Sequence, residues 1–171
     1  VQAAVAMQTA MVVSTLASRR FMDIRRTAEA AAQELQRPVP PLWLQLYSQP
    51  MRVQTQAVLQ AAAEANFDAI VWTIDAHYKR TAMALPVGVS AVNTDAEAQY
   101  KHTSQLLDER LVLGSRFTEH APTWEDLAWL RGQTDKPILL KGIVSPADAK
   151  QALALGANGL VVSNHGGRVL D

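Results

Sequence analysis

Two kinds of segment alternate along the chain, and the spacing of their apolar residues distinguishes them. Short apolar runs that are bounded by Pro, Gly, Asn or Asp are typical of strands buried on both faces. Four such runs occur at Val39–Tyr47, Ala69–Asp75, Pro137–Lys141 and Gly159–Ser163, and Met11–Ser14 is a short, Val-rich fifth candidate. The pattern therefore predicts five buried strands.

Helical patterns lie between the predicted strands. Met22–Leu35 is rich in Ala, Glu, Gln and Arg, and Met51–Ala65 repeats apolar residues at three- and four-residue spacing. That spacing predicts an inward face made of Val53, Ala57, Val58, Ala61 and Ala62.

Two further helices are predicted from their start signals. Thr123, with Asp126 three residues later, forms a variant capping box ahead of Trp124–Arg131. Ser145, followed by Pro146, places a capping hydroxyl before a proline at the first helical position. Strands that alternate with helices predict parallel pairing through right-handed crossovers, hence an α/β barrel or a doubly wound sheet.

The stretch 77–122 differs from the rest of the chain. It is long and mixed in polarity, with a weak helical pattern over 95–110. More than ~15 residues without regular structure inside a compact domain usually indicate a lid or an insertion. The stretch directly follows a predicted strand end, which is where active sites lie in an α/β barrel.

Composition excludes several classes of function. A chain of 171 residues fits one globular domain, because domains usually contain ~100–200 residues. Its 16 basic and 16 acidic side chains cancel, so no net field attracts nucleic acid or anionic lipid. Without Cys there is no thiolate nucleophile or thiolate metal site, and the His, Asp and Glu residues lack the spacing of metal ligands. We therefore expect neither a polyanion-binding protein nor a metal site.

The apolar segment Val1–Ala17 is interrupted by polar residues and lacks the basic start of a signal peptide, so we expect it to be buried structure. The chain begins inside this apolar run and stops at Asp171, just after a Gly-rich turn. These two features favour a piece of a longer protein.

Polar residues occupy the ends of the predicted strands. Gln45 and Tyr47 are two residues apart and leave the same face of their strand, and Thr73 and Asp75 repeat this arrangement on the next strand. Solvated strand caps would explain either pair alone, but the two pairs together favour a site. Lys141 ends a third strand, either as a solvated terminus or as a fixed cation that stabilises negative charge on a ligand.

The segment Ser163-Asn-His-Gly-Gly-Arg168 is the most specific feature of the sequence. A strand delivers His165 to its carboxyl end, where a histidine can act as a general base if a carboxylate holds its ring, and Asp75 is the candidate partner. Arg168 offers a planar fork for a carboxylate. The alternative is a loop histidine beside a solvated arginine. The other histidines lack comparable surroundings and are expected to be loop residues: His77, His102 and His120.

Several motifs recur in a fixed order along the chain. They are Val13-Ser14, Trp43-Leu-Gln-Leu-Tyr47, Val71-Trp-Thr-Ile-Asp75, Trp124-Glu-Asp-Leu-Ala-Trp-Leu130, Pro137-Ile-Leu-Leu-Lys-Gly142 and Val162-Ser-Asn-His-Gly-Gly-Arg168 with Leu170-Asp171. In this order they resemble the FMN-dependent L-2-hydroxy-acid oxidases and dehydrogenases, which act on acids such as lactate, glycolate and mandelate. The resemblance implies a TIM (β/α)8 barrel that binds FMN at the carboxyl ends of its strands. This chain would be a partial FMN-binding domain over 1–171, covering barrel strands two to six.

The resemblance also implies a role for each site residue. His165 would be the base in the oxidation of the acid to a 2-oxo acid, with electrons passing to FMN, and Asp75 would orient it. Tyr47 would hydrogen-bond the substrate, Arg168 would bind its carboxylate, and Leu16 stands where many members carry an aromatic residue near the substrate. The flavin ring would be contacted by Ser14, Gln45, Thr73 and Lys141.

Two features depart from the family pattern. The run after Asp75 lacks the usual Pro, Gly and arginines and places Arg80 in a different register. A full barrel needs about 250 residues, and this chain matches only strands two to six. Strands seven and eight, which supply most of the FMN phosphate site in the family, are therefore not represented. The alternative function is therefore a non-catalytic fragment that serves as an interaction or assembly piece. A related FMN barrel with other chemistry, such as type 2 isopentenyl diphosphate isomerase, does not explain Arg168 three residues after His165.

The resemblance further implies partners and a location. The partners would be a small 2-hydroxy acid and either oxygen or an electron carrier as acceptor. Members are often homo-oligomers, in particular tetramers, and some bacterial ones associate with membranes. We expect a cytoplasmic protein, with a position at the periphery of a membrane as the alternative.

Overall fold

Strands and helices alternate along the part of the chain that the structure describes. A computed structural model describes residues 1–75, 87, 89–94 and 121–167. In chain order its elements are α1 (Gln2–Met7), β1 (Met11–Ser14), α2 (Phe21–Glu34), β2 (Leu42–Leu46), α3 (Arg52–Glu64), β3 (Ala69–Thr73), α4 (Trp124–Arg131), β4 (Ile138–Ile143), α5 (Pro146–Ala154) and β5 (Gly159–Val162). All five strands predicted from the apolar runs are present.

The five strands form one sheet whose order follows the chain. The order is β1-β2-β3-β4-β5, and every neighbouring pair is parallel. In a doubly wound sheet the spatial order of the strands reverses at one point along the chain, whereas here each strand lies next to the one before it in sequence. The topology is therefore that of consecutive strands of an α/β barrel, as expected.

The hydrophobic core lies between the sheet and the helices. On β2, Leu42, Leu44 and Leu46 are fully buried, and they belong to one cluster with Phe21 of α2 and Leu127 of α4. Side chains alternate between the two faces of a strand. Burial of the three leucines against the helices therefore directs the intervening Gln45 to the opposite face.

The described helices are short, and two of them have the predicted caps. The hydroxyl of Thr123 accepts a hydrogen bond from Asp126 N–H at 3.3 Å, and the Asp126 carboxylate accepts one from Thr123 N–H at 3.0 Å. The hydroxyl of Ser145 accepts a hydrogen bond from Asp148 N–H at 3.4 Å.

No helix in the described ranges is long and apolar enough to cross a membrane.

Helix α1 was not predicted from the sequence, which indicated only buried structure there. The helix spans Gln2–Met7 and stops at Gln8, which adopts the left-handed conformation at φ 52°. Only Val5 of this helix is buried, so the expectation of buried structure is wrong for most of α1. So short a segment has no repeated apolar spacing that would reveal its period.

The predicted inward face of α3 was partly wrong. The buried residues are Thr55, Val58, Leu59 and Ala62, whereas Val53 is 62% exposed. Thr55 can occupy the buried stripe because its hydroxyl accepts a hydrogen bond from the Gln49 N–H at 2.9 Å. Because this hydroxyl is hydrogen-bonded, a polar residue can lie on the buried face of α3. The buried face therefore differs from the one that the apolar residues alone predict.

Most of the predicted insertion at 77–122 lies outside the described residues, so its extent stays a prediction. Asn93, which lies within it, contacts the connection between β1 and α2. Its Oδ1 accepts a hydrogen bond from Phe21 N–H at 3.1 Å, and its Nδ2 donates to the carbonyls of Ala17 and Arg19 at 3.3 and 2.9 Å. This part of the insertion is thus bonded to the start of α2.

Candidate active site

A row of polar side chains crosses the carboxyl ends of three neighbouring strands. Ser14 of β1 pairs in register with Gln45 of β2, and Thr73 ends β3. The Ser14 hydroxyl donates to Gln45 Oε1 at 3.2 Å, and Gln45 Nε2 donates to Thr73 Oγ1 at 3.0 Å. The structure therefore brings together three of the four residues predicted to bind the flavin.

Lys141 is the fourth of these residues, and it lies on β4 opposite Thr73 in the strand ladder. Its Nζ is 3.8 Å from Asp75 Oδ2 and 3.5 Å from His165 Nδ1. Lys141 therefore connects the polar row to a second group of side chains, which contains Asp75 and His165.

Asp75 and His165 make the shortest contact in this second group. Asp75 lies just beyond β3 and His165 just beyond β5, and Asp75 Oδ1 is 2.9 Å from His165 Nδ1. A ring nitrogen that faces a carboxylate at this distance carries the proton, so Nδ1–H donates to Asp75 and Nε2 keeps a free lone pair. Because Nδ1 carries that proton, the contact from Lys141 is not a hydrogen bond to the ring. The predicted pair is thus in contact in this structure, and this tautomer leaves Nε2 unprotonated.

The second carboxylate oxygen of Asp75 is desolvated. Oδ2 is buried and makes no hydrogen bond among the described residues, and the Asp75 side chain is only 9% exposed. A buried carboxylate is costly unless a positive charge lies nearby. Lys141 provides that charge at 3.8 Å, so Asp75 is held between a cation and an imidazole.

Tyr47 is half-buried just beyond β2, where the negative charge of Asp75 acts on its phenol. Burial raises the pKa of the Tyr47 phenol above its ordinary value, and the negative charge of Asp75 raises it further. Both effects favour the neutral phenol. Tyr47 therefore keeps its O–H at neutral and moderately alkaline pH and can donate a hydrogen bond.

Thr15 supports this end of the sheet, and the sequence analysis did not single it out. It is fully buried, its hydroxyl donates to the Gln45 carbonyl at 2.6 Å, and the same hydroxyl accepts from Tyr47 N–H at 3.1 Å. Thr15 therefore fixes the backbone on both sides of Leu46. The sequence signal that could have identified Thr15 is its place directly after Ser14, as a second hydroxyl residue at the end of a strand.

The turn that carries His165 is held by its own side chains. His165 adopts φ 60°, a left-handed conformation that is uncommon for residues other than glycine. The Ser163 hydroxyl accepts a hydrogen bond from His165 N–H at 3.0 Å, and Asn164 Oδ1 accepts one from Gly167 N–H at 3.2 Å. Ser163 is a second residue that the sequence analysis left without a role, although Ser and Asn commonly stabilise turns in this way.

Of the other two predicted substrate residues, one borders these contacts and the other lies outside the described residues. Leu16 is 41% exposed beyond β1, and its N–H donates to the Ser14 hydroxyl at 3.0 Å, so it borders the polar row. Arg168 lies outside the described residues. The same holds for the other basic residues of the 77–122 stretch that the sequence analysis discussed: His77, Arg80, His102 and His120.

Comparison with known proteins agrees with this arrangement. The model of the FMN-dependent dehydrogenase family matches residues 1–171. The chain belongs to this family. The family resemblance that the ordered motifs indicated is therefore confirmed.

Relatives within this family include oxidases of 2-hydroxy acids. An L-lactate oxidase of Alicycliphilus denitrificans is 36% identical over 177 residues, which cover 99% of this chain and 46% of that protein. A 4-hydroxymandelate oxidase of Amycolatopsis orientalis is 38% identical over 137 residues, which cover 75% of this chain and 38% of that protein.

Solved structures in the family align with almost all of the chain. A mandelate oxidase with benzoyl-formic acid is 30% identical, with a TM-score of 0.74, and the match covers 99% of this chain and 43% of that one. A mandelate oxidase variant with a C4a-OH-FMN adduct is 29% identical, also with a TM-score of 0.74, over 99% of this chain and 44% of that one. The chain thus spans less than half the length of these relatives.

The polar row suits a flavin, the cofactor that the family is described by. A flavin ring presents both hydrogen-bond donors and acceptors, and the hydroxyl and amide side chains of Ser14, Gln45 and Thr73 can serve as either. The ring gains negative charge when it is reduced, and Lys141 places a cation beside the row. The residues present therefore fit FMN.

Proposed function

We propose that the protein oxidises an L-2-hydroxy acid to a 2-oxo acid with FMN as its cofactor. The observation that carries this proposal is the 2.9 Å contact between Asp75 and His165 beside the polar row. A histidine whose Nδ1–H is held by a carboxylate presents a basic Nε2 to a substrate. The lactate and hydroxymandelate oxidases among the relatives support 2-hydroxy acids as the substrate class.

In this proposal His165 and Asp75 manage the substrate proton. His165 Nε2 accepts a proton either from the substrate hydroxyl or from the α-carbon. Asp75 stabilises the imidazolium that results, because its carboxylate lies 2.9 Å from Nδ1. Bound FMN supplies the two-electron oxidation that converts the alcohol carbon into a carbonyl.

The other residues bind and orient. Tyr47 donates a hydrogen bond to the substrate, and Arg168 binds its carboxylate. Lys141 stabilises negative charge at the flavin site. Ser14, Gln45 and Thr73 hold the flavin ring in place over the strand ends.

The assembled pair of Asp75 and His165 favours an enzyme over a non-catalytic fragment, because a buried carboxylate in contact with a histidine and a lysine is costly to keep without a use. The two functions differ in a simple property. Full-length protein that is an enzyme purifies with bound flavin, whereas an assembly piece remains colourless even after FMN is added.

An anaerobic visible spectrum of the full-length protein tests the proposal. We expect flavin bands that bleach when one member of a panel of L-2-hydroxy acids, including lactate, mandelate and glycolate, is added. Bands that no acid bleaches would contradict the substrate class. Absence of flavin would contradict the cofactor as well.

His165→Gln provides the sharper test of the base. Glutamine keeps the size and hydrogen-bonding capacity of the side chain but has no basic nitrogen, so we expect flavin binding to persist while the rate of flavin reduction falls by ~100-fold or more. The measurement is anaerobic stopped-flow reduction with the best acid. Reduction at the wild-type rate would exclude His165 as the base.

Oxygen or an electron carrier as acceptor, assembly into a homo-oligomer and a cytoplasmic location stay predictions. Reoxidation of the reduced protein by air, compared with reoxidation by a dye acceptor, distinguishes an oxidase from a dehydrogenase.

A further inference from the structure

Gly142 interrupts the regular pairing of β4 just after Lys141. Lys141 pairs with Val161 and Ile143 pairs with Val162, so β4 uses one more residue than β5 across this step. Gly142 adopts φ +113°, a conformation that L side chains rarely adopt. This is a β-bulge, and bulges beside active sites commonly redirect the neighbouring side chain.

The space that a side chain at position 142 would need is filled by Asp75. A Cβ added to Gly142 would lie 2.6 Å from Asp75 Cβ, 2.7 Å from Asp75 Cγ and 3.0 Å from the Asp75 backbone nitrogen. These atoms are the base of the side chain and the backbone itself, so they cannot swing aside as the end of a flexible side chain would. Asp75 is therefore packed directly against the backbone of the bulge.

Asp75 lies where the strand ladder no longer holds it. The last residues of β3 are fixed by pairing with β4, in which Thr73 pairs with Lys141 and Ile74 N–H donates to the Lys141 carbonyl at 3.0 Å. Asp75 follows at the point where the bulge begins. Contact with Gly142 then sets how close the carboxylate lies to β4, and therefore whether Oδ1 reaches His165 at 2.9 Å and Oδ2 lies 3.8 Å from Lys141.

We propose that Gly142 is a positioning residue for the oxidation, because the absence of its side chain lets Asp75 hold the ring of His165 in the orientation that proton transfer requires. This inference rests on the proposed function, in which His165 is the base. Gly142 does not touch the substrate or the reacting atoms and acts only through Asp75.

Gly142→Ala in the full-length protein tests this inference, with Gly156→Ala as the matched control. Gly156 also has a positive φ, +99°, but the described atoms nearest to a Cβ there would be Arg131 Cγ and Cδ, at an ordinary 3.5 Å. Gly156 lies between α5 and β5, at the end of the sheet remote from the site. Both substitutions strain the backbone, and only the one at Gly142 displaces Asp75.

We expect Gly142→Ala to retain bound flavin and an unchanged KM for the acid, and to lower the rate of anaerobic flavin reduction by about 100-fold. Gly156→Ala should stay within about 3-fold of the wild type, because it leaves Asp75 in place. Equal rates for the two variants would overturn the inference. If the wild type itself is not reduced by any acid, the proposed function fails instead, so the two failures are distinguishable.

Combination with Asp75→Asn separates positioning from general packing. If Gly142 acts through Asp75, Gly142→Ala should change the rate of an Asp75→Asn protein by no more than about 3-fold, because residues that act as a unit are not additive. The full loss on both backgrounds would assign Gly142 a role in packing and overturn the proposal.

A second measurement applies if Gly142→Ala does not fold. Asp75→Gly removes two of the three atoms that the added Cβ would meet, Cβ and Cγ, and leaves the backbone nitrogen at 3.0 Å. The backbone strain at φ +113° also remains, so the double variant Asp75→Gly/Gly142→Ala should fold with a melting temperature lower than that of Asp75→Gly by about as much as Gly156→Ala lowers that of the wild type. If Asp75→Gly and Gly156→Ala both fold and the double variant does not, the Asp75 side chain is not the obstruction at position 142, and the proposal is overturned.

Discussion

Three neighbours lie against the side chain of Asp75. One carboxylate oxygen bonds the Nδ1–H of His165, the other lies buried near Lys141, and the base of the side chain packs on Gly142. Each contact fixes a different atom of a four-atom group. The site therefore depends on the length of this side chain as well as on its charge, and glutamate is not an equivalent replacement for aspartate here.

Tyr47→Phe tests the phenol as a substrate hydrogen-bond donor. The ring stays and only the O–H is lost, so we expect kcat/KM to fall by about 10- to 100-fold, as for a hydrogen bond to a charged group worth about 1.5–3 kcal/mol. Steady-state kinetics of both proteins with the best acid provide the measurement. An unchanged kcat/KM would exclude the contact.

The pH dependence of this ratio follows from the raised pKa of Tyr47. The ordinary value is about 10, and burial and Asp75 move it upward, so the phenol stays protonated and the ratio of wild type to Tyr47→Phe stays constant between about pH 6 and 9. A ratio that decays to one within that window would show that the phenol ionises there. The raised pKa also affects stability. Folding favours the neutral phenol of Tyr47, so this contribution to the free energy of unfolding is complete below the pKa of the unfolded state. It is lost as the pH rises through the higher pKa of the folded state.

Among the elements, helix α2 depends on a residue that is distant in sequence. Its first flanking residue, Arg20, provides no side-chain cap, and Asn93 instead accepts the hydrogen bond from Phe21 N–H. Loss of a side-chain cap typically costs about 1 kcal/mol. Asn93→Ala should therefore lower the free energy of unfolding by about that amount.

Urea unfolding of the full-length protein measures this effect, and Thr94→Ala is the control. Among the described residues, the Thr94 hydroxyl bonds the Ala91 carbonyl, at 3.4 Å and within the same segment. Its loss should change the free energy of unfolding by less than about 0.5 kcal/mol. Equal effects of the two substitutions would show that Asn93 does not stabilise α2.

The elements that could be predicted from the sequence are those whose signals are local. The five strands follow from apolar runs, and the starts of α4 and α5 follow from Thr123 and Ser145, because a capping side chain bonds a backbone group only a few residues away. The cap of α2 could not be found this way, since Phe21 and Asn93 are 72 residues apart.

The same distinction applies to the site. Strand periodicity placed Gln45, Thr73 and Lys141 at one end of the sheet, and the parallel pairing confirms that placement. The contact of Gly142 with Asp75 depends on a bulge in β4 that shifts the register with β5 by one residue. No pattern within β4 alone specifies this bulge, because it arises only when two strands are paired.

At the scale of the whole molecule, one core supports both the sheet and the site. Leu140 in β4 is 1% exposed and precedes Lys141, whereas Leu153 on α5 is 50% exposed. Removal of a buried leucine side chain leaves a cavity and typically costs about 2–5 kcal/mol. Leu140→Ala should therefore lower the free energy of unfolding by that range.

Leu153→Ala is the matched control, and its effect should remain within about 0.5 kcal/mol. Thermal or urea unfolding of the full-length variants compares them. A large loss for Leu153→Ala would mean that its exposed face is covered in the full-length protein, and a small loss for Leu140→Ala would contradict the assigned core.

Under the proposed function, the trio of Lys141, Asp75 and His165 would also set the charge of the site through the catalytic cycle. With a neutral imidazole the three side chains have no net charge, and with a protonated one they carry a single positive charge in a partly buried place. The proposed oxo-acid product is an anion, so it would bind more tightly to the protonated form than to the neutral one. By linkage, departure of the proton and departure of the product favour each other. The enzyme would release its product most readily once the histidine has returned its proton to solvent.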